Sequence, residues 1–125
     1  MRTSLEKSDL GRSILTEIAE ISVDQLAKLD LQNICLVDVR EEYEYIEMRV
    51  PGAELLPLAE VPEQVDKFPK NKPVYLICAS GNRSKVAGEY LSKFHIDTIN
   101  IAGGTKGWVS SGRAYNSGDA DLALF

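Results

Sequence analysis

The sequence predicts an α/β domain with a central, mainly parallel five-stranded sheet and helices on both of its faces. Short apolar runs alternate along the chain with amphipathic segments, and this order of elements builds parallel sheets. The clearest runs are apolar almost without interruption, as expected of strands that are buried on both faces. One run leads directly into a segment of small and polar residues, and active sites of parallel sheets lie at such strand ends.

Strand and helix signals alternate from about residue 20 to residue 56. Ser22 and Gln25 have the spacing of a capping box and mark the start of a helix. A buried strand carries a single charge, Asp38, near its end, and Pro51-Gly52 breaks the chain after the next helical turn. The predicted elements are strand 20–22, helix 23–29, strand 34–39, helix 41–48 and strand 54–56.

The second half continues the same alternation. Pro62 and Pro69 fit the early part and the end of a helix, and apolar residues after the cysteine segment fall at helical spacing. The predicted elements are helix 58–68, strand 74–77, helix 84–94, strand 98–101 and a short helix from 103 towards 112. We expect a domain at 19–113, flanked by an N-terminal arm (1–18) and a C-terminal tail (114–125) that are frayed or loosely docked.

Composition limits the classes of function. At 125 residues, 44% hydrophobic and 26% charged, the chain fits one compact domain. Its net charge of −5 argues against a nucleic-acid partner or an anionic membrane. It has no apolar run long enough to span a membrane and no signal-peptide pattern at its start. We therefore expect a cytoplasmic protein.

The cysteines suggest neither a disulfide framework nor a metal site. Cys35 and Cys78 are the only two, and the chain has one histidine, too few for the usual zinc ligand sets. Cys35 lies inside an apolar strand without basic or glycine-rich neighbours, so we expect it to be an inert core residue.

Cys78 differs because it ends a strand and begins a polar loop. A helix start offers unpaired N–H groups and the positive end of the helix dipole, which lower a thiol pKa and hold anions. A buried, purely structural cysteine is the alternative, but the residues that follow favour a nucleophile. The predicted substrate-binding loop consists of Ala79, Ser80, Gly81, Asn82, Arg83 and Ser84.

Four segments together resemble the rhodanese, or single-domain sulfurtransferase, family. Each would be a weak match alone, but they occur in the family's order and cover roughly residues 20 to 112. The segments are Leu36-Val37-Asp38-Val39-Arg40-Glu41, Val50-Pro51-Gly52-Ala53, Cys78-Ala79-Ser80-Gly81-Asn82-Arg83-Ser84 and Ala102-Gly103-Gly104-Thr105-Lys106-Gly107-Trp108.

This resemblance implies a rhodanese-like fold and a sulfurtransferase that works through a persulfide on Cys78. The donor would be thiosulfate or a protein or low-molecular-weight persulfide, and the acceptor cyanide, a thiol or a partner protein. No metal or organic cofactor is implied. The uncharged Ala79 and Ser80 depart from relatives that favour thiosulfate, which often carry basic loop residues. Arg49 stands where the family commonly has histidine.

Two other classes of function remain open. The Cys-x4-Arg spacing of Cys78 and Arg83 is one residue shorter than in the related Cys-dependent phosphatases and arsenate reductases, and no general acid is marked, which disfavours phosphoryl transfer. A sulfur relay charged only by a partner protein, or a docking module without turnover, is the other alternative.

Several charged residues near the predicted site have more than one interpretation. Arg83 can brace the loop through a carboxylate, with Asp38, Glu41 and Glu42 as candidates. Asp38 and Arg40 are either solvated at a strand end or support the loop and attract anions. A solvated helix face is expected for Glu41, Glu42, Glu44 and Glu47.

Two residues have predicted structural roles. His95 follows a helix and suits a left-handed helix end rather than catalysis. Trp108 is expected to anchor the core.

Overall fold

Five parallel strands form one sheet in this computed structural model, which describes residues 18–120 and 122–125. The strand order is β1-β5-β4-β2-β3, with every pair parallel. The predicted fold class is confirmed. The predicted N-terminal arm lies outside the described residues except for Ile18. The strands are β1 Ala19–Ser22, β2 Cys35–Asp38, β3 Glu54–Leu55, β4 Val74–Ile77 and β5 Thr98–Ala102.

Helices cover both faces of the sheet. The α-helices are α1 Val23–Ala27, α2 Glu42–Glu47, α3 Asn82–Ser92 and α4 Gly104–Ser110, and a 3₁₀ segment spans Leu58–Lys67. The capping box is present at α1, where Ser22 and Gln25 bond each other's backbone N–H groups at 2.8 and 3.1 Å.

The segment predicted as helix 58–68 is a 3₁₀ helix. Pro62 has no N–H to donate to the carbonyl four residues before it, and its ring would crowd that carbonyl. The observed bonds instead span three residues at both ends, from Glu60 N–H to Pro57 and from Phe68 N–H to Val65. The apolar side chains Val61 and Val65 still face the core.

Each face of the sheet carries its own apolar cluster. Alternate strand residues point to opposite faces, so neighbours such as Leu76 and Ile77 belong to different clusters. One cluster packs the sheet against α3 and the 3₁₀ segment. The other packs it against α1, α2 and α4 through Leu26, Tyr45 and Trp108, which are buried.

Two predicted structural residues are confirmed. His95 follows α3 with φ 64°, the left-handed conformation expected at a helix end. Trp108 is 4% exposed and lies in the second cluster. Its indole N–H donates to the carbonyl of Ala114 at 2.9 Å, which satisfies the one polar atom that the ring buries.

The C-terminal tail is held against the domain, which corrects the prediction of a frayed or loosely docked segment. Arg49 and Asn116 exchange two backbone hydrogen bonds of 2.9 Å. Leu55 exchanges backbone bonds with Ala123 and Phe125 at 2.8 and 3.1 Å, and the Phe125 ring lies 4.4 Å from that of Phe68. Sequence periodicity missed these contacts because each involves isolated residues rather than a regular element.

Arg49 anchors this tail from inside the domain. Its guanidinium is buried, stacks 4.7 Å from the centre of the Tyr45 ring, and donates to the carbonyls of Tyr45 and Gly118 at 3.0 and 2.8 Å. A third contact, of 3.4 Å, reaches the carbonyl of Ala120. Arg49 therefore binds the chain's own C-terminal segment.

Arg49→Met is expected to lower the free energy of unfolding by about 2–4 kcal/mol, because it removes charged hydrogen bonds to buried carbonyls. Urea denaturation measures the loss, and limited proteolysis should show faster cleavage beyond Tyr115. Lys93→Met, at an exposed position, serves as the control and should leave both unchanged. Equal stability of the two variants would contradict the anchoring role.

Candidate active site

Cys78 lies one residue beyond the carboxyl end of β4, where the chain turns into α3. The turn depends on Gly81, whose φ of 111° is reached easily only by glycine. In this conformation the Gly81 N–H points back to the Cys78 sulfur at 3.1 Å. The Ser84 hydroxyl, in the first turn of α3, lies 3.3 Å from the same sulfur.

These contacts change the acidity of the thiol. Burial, which leaves Cys78 1% exposed, by itself raises the thiol pKa. Hydrogen bonds from the Ser84 side chain and from the N–H groups of Ser84, Gly81 and Ser80 oppose it, and together they bring the pKa of Cys78 below its ordinary value. The loop therefore stabilises negative charge on sulfur through neutral hydrogen-bond donors.

The other loop residues form the rim. Ser80 and Asn82 are exposed and Ala79 is half-buried, whereas Gly81 and Ser84 are buried. Backbone amides of the loop thus line the approach to a buried sulfur, an arrangement that suits a small anion.

The start of α4 supports this loop through backbone hydrogen bonds. Thr105 N–H donates to the carbonyl of Cys78 at 2.8 Å, and Lys106 N–H donates to that of Ala79 at 3.0 Å. Gly104 permits this approach, because a Cβ there would lie 2.5 Å from the Cys78 oxygen. Gly104 was not among the predicted site residues, although two successive glycines before a helix indicate close backbone contact.

Arg83 is paired with Glu44, which corrects two predictions. Its two terminal nitrogens each lie 2.9 Å from a carboxylate oxygen of Glu44 in α2. The candidates Asp38, Glu41 and Glu42 do not make this contact, and Glu44 is not merely part of a solvated face. Glu44 lies on the side of α2 that faces α3, and its acidic neighbours do not. The packing of α2 against the domain determines which side of the helix faces α3.

The pKa of Glu44 falls to about 2, first because Arg83 hydrogen bonds to its carboxylate, an effect that partial burial opposes. The pair links α2 to the first turn of α3. It therefore braces the helix that carries Ser84.

Asp38 and Arg40 bind each other rather than solvent or Arg83. Their side chains form a two-pronged ion pair, with contacts between 2.8 and 3.1 Å, and are 0% and 5% exposed. Arg40 also donates to the carbonyl of Met48 at 2.7 Å. The solvated interpretation is therefore wrong. The ion pair lies at the end of β2. Asp38, the last residue of that strand, is in register with Ile77, which immediately precedes Cys78.

Cys35 lies at the opposite end of the sheet. It is in register with Val74, the first residue of the strand that leads to Cys78. It is half-buried, packs against the core, and borders a cavity of about 580 Å³ together with Tyr45, Arg49 and Lys72. Burial raises the pKa of its thiol. The two cysteines thus face different environments.

No group of three or more His, Cys, Asp or Glu side chains that could hold a metal ion occurs within residues 18–120 and 122–125. Over the same residues, no helix has the length and apolar character needed to cross a bilayer.

A family model for the rhodanese-like domain matches residues 22–111, most of the chain. This chain belongs to the rhodanese-like family. YtwF of Bacillus subtilis (strain 168) is 35% identical over 94 residues, which cover 74% of this chain and 91% of YtwF. The thiosulfate sulfurtransferase GlpE of Tolumonas auensis is 30% identical over 96 residues, 75% of this chain and 91% of GlpE.

A solved rhodanese-like structure has a similar fold. The crystal structure of a rhodanese-like domain protein from Staphylococcus aureus has a TM-score of 0.69 at 32% identity, and the match covers 86% of this chain and 99% of that one. The predicted family is therefore confirmed, and the chain is related to sulfurtransferases.

Glu44→Gln is expected to reduce stability at pH 6 by up to about 1 kcal/mol, the usual range for a partly exposed ion pair. Because the pKa of Glu44 is lowered to about 2, its contribution is complete above the ordinary carboxyl pKa of about 4.3. It is lost as the pH falls towards 2. Urea denaturation from pH 6 to pH 2 should show the two proteins converging, whereas Glu47→Gln, on the exposed face of α2, should match the natural protein throughout.

Ser84→Ala is expected to slow alkylation of Cys78 by iodoacetamide on the order of tenfold on the acid side of its pH profile, since the thiolate loses a charge-assisted hydrogen bond. The plateau at high pH should not change. Mass spectrometry of the Cys78 peptide measures the rate separately from Cys35. Ser92→Ala, in the last turn of the same helix, is the control. An unshifted profile in Ser84→Ala would show that the hydroxyl does not stabilise the thiolate.

Proposed function

We propose that this rhodanese-like protein is a sulfurtransferase that moves a sulfane sulfur from a donor to a thiophilic acceptor through a persulfide on Cys78. The observation that carries the proposal is the convergence of the Gly81 N–H and the Ser84 hydroxyl on the Cys78 sulfur. This geometry favours a thiolate, which is the nucleophilic form of cysteine.

The first step forms the persulfide. The Cys78 thiolate attacks the outer sulfur of a donor such as thiosulfate, the sulfur–sulfur bond of the donor breaks, and sulfite leaves with the electron pair. A protein or low-molecular-weight persulfide would react in the same way and release a thiolate. The loop amides would stabilise the negative charge of the departing group and of the bound sulfur.

The second step returns the enzyme to its starting state. A nucleophile such as cyanide or a thiol attacks the outer sulfur of the Cys78 persulfide. The bond between the two sulfurs breaks, and its electrons return to Cys78 as a thiolate. The product is thiocyanate or a new persulfide, and atoms and charge balance without a redox cofactor.

The arrangement of Arg83 supports sulfur transfer over phosphoryl transfer. Its two terminal nitrogens bind Glu44 and brace α3, whereas a phosphatase needs such an arginine for the phosphate itself. The buried sulfur also suits a slim sulfane sulfur better than a bulky phosphate ester. The neutral rim at Ala79 and Ser80 fits a persulfide donor at least as well as thiosulfate, and the acceptor in the cell would be a thiol or a protein.

The test is intact mass after incubation with thiosulfate and then with cyanide, on the natural sequence and on Cys78→Ser. The natural protein should gain the mass of one sulfur atom and lose it when cyanide is added, and Cys78→Ser should gain none. Cys35→Ser is the matched control and should behave like the natural protein.

A persulfide donor such as glutathione persulfide is then tested in the same way. Sulfur gained from this donor but not from thiosulfate would identify a relay of persulfide sulfur. A folded protein that takes sulfur from neither donor would contradict the proposed function, and a phosphatase assay would follow.

A further inference from the structure

Asn100 lies behind the cysteine loop, on β5, and 1% of it is exposed. Its side-chain nitrogen donates to the Glu20 carboxylate at 2.8 Å and to the Gly81 carbonyl at 3.2 Å. Its oxygen lies 2.5 Å from the Ser84 hydroxyl. Both ends of this buried amide are therefore engaged.

The partners determine how the amide is turned. Glu20 and Gly81 offer acceptor oxygens at these contacts, so the nitrogen must face them. A reversed amide would place its oxygen against two other oxygens and its nitrogen against Ser84. The Asn100 oxygen is therefore held towards Ser84, and Glu20 helps to keep it there from the neighbouring strand β1, where it lies in register with Asn100.

Both loop residues that Asn100 binds, Gly81 and Ser84, also have a group within 3.3 Å of the Cys78 sulfur. Gly81 donates its N–H to the sulfur and accepts from Asn100 through its carbonyl. Ser84 contacts both the sulfur and Asn100 through its hydroxyl. Asn100 is in position to hold both groups without touching the sulfur itself.

We propose that Asn100 is a positioning residue for sulfur transfer, which holds Gly81 and Ser84 against the Cys78 sulfur and is itself held in orientation by Glu20. This inference rests on the proposed role of Cys78 as the nucleophile. It assigns a function to a strand residue outside the loop that begins at the cysteine.

The Ser84 hydroxyl has one hydrogen and two neighbours that can accept it. When Cys78 is a thiol, the hydroxyl donates to Asn100, and the thiol hydrogen can point to the Ser84 oxygen. When the sulfur is a thiolate or persulfide anion, the hydroxyl hydrogen turns to the sulfur, since bonds to an ion are stronger. Asn100 keeps the Ser84 oxygen near the sulfur, so this change needs only a rotation of the hydroxyl hydrogen.

Other charges also act on the sulfur, and the test must leave them in place. Arg83 lies in the first turn of α3, and Glu44 neutralises it. The charged groups on the elements that pack around the loop are Glu20 on β1, Asp38 and Arg40 at the end of β2, Glu42, Glu44 and Glu47 on α2, Arg83, Lys85 and Glu89 on α3, and Lys106 on α4.

Asn100→Leu removes the amide and keeps a side chain of similar size. We expect the alkylation profile of Cys78 to move to higher pH, with a rate on the acid side lower by about tenfold and an unchanged plateau. The acid limb of sulfur-transfer kcat/KM should move with it. Thr98→Val is the matched control, because Thr98 is buried on the same face of β5 and packs against α3 at Gly88, away from the loop. It should keep the natural profile.

The Ser84→Ala background tests whether Asn100 acts through its two contacts. In that background, Asn100→Leu should shift the Cys78 alkylation profile less than in the natural sequence. The share of the effect that Asn100 exerts through the Ser84 hydroxyl is already lost there. An Asn100→Leu profile equal to the natural one, with a cooperative thermal transition, would overturn the proposal. A shift of the alkylation profile to lower pH would also overturn it. Such a shift would mean that Asn100 only competes with the Cys78 sulfur for the Ser84 hydroxyl hydrogen.

A replacement variant and a separate reading of the two proposals complete the test. If Asn100→Leu does not unfold cooperatively, Asn100→Ala, which adds no bulk to the sheet, replaces it with the same expected shift. Alkylation does not require sulfur transfer, so the two proposals can fail separately. A shifted profile in a protein whose natural form gains no sulfur would show that Asn100 holds Gly81 and Ser84 against the Cys78 sulfur, and it would reject the sulfurtransferase. Persulfide formation with an unshifted Asn100→Leu profile would do the reverse.

Discussion

The candidate active site depends on the conformation of one residue, Gly81. Its positive φ turns the backbone so that the N–H at position 81 points to the sulfur of Cys78. A residue with a Cβ would be strained in this conformation. The turn also starts α3, so the same conformation that creates a donor to the sulfur brings the Ser84 hydroxyl within 3.3 Å of it. Charge on the sulfur is thus stabilised by neutral dipoles that are already in place.

The surrounding elements restrain that turn from several directions. The start of α4 binds the carbonyls of Cys78 and Ala79 from below. Glu44 holds the first turn of α3 through Arg83, and Asn100 binds the inner side of the loop from β5. Since each support comes from a different element, the loop geometry is a property of the whole sheet and its helices rather than of the heptapeptide alone. Arg83, paired with Glu44, is one of these supports.

Charged side chains near Cys78 are paired with one another. The buried ion pair of Asp38 and Arg40 is internally neutral, and Glu44 neutralises Arg83. The sulfur therefore gains its stabilisation from backbone N–H groups and a hydroxyl, which bind an anion without fixing it as strongly as a direct cation would. Such an environment fits the proposed role of Cys78, in which a sulfur is accepted in one step and transferred in the next.

Local chemistry explains what could be predicted from the sequence. The strand runs, the capping box at Ser22, the left-handed His95 and the turn at Gly81 follow from propensities that act over a few residues. The order of four short segments was enough to indicate the family. By contrast, the helix predicted at 58–68 became a 3₁₀ segment, because apolar spacing indicated the buried face but proline determined the hydrogen bonds.

Pairings between distant residues required the tertiary structure. Arg83 had several acidic residues within reach in the sequence, and the packing of α2 selected Glu44, which lies 39 positions away. Asn100 and Ser84, 16 positions apart, meet only because β5 lies beside β4. The tail that binds Arg49 has no periodic pattern. The sequence by itself determined the local elements and the loop that begins at Cys78, whereas the tertiary structure decided which side chains support that loop, since a hydrogen bond between distant residues depends on where the whole chain places both partners.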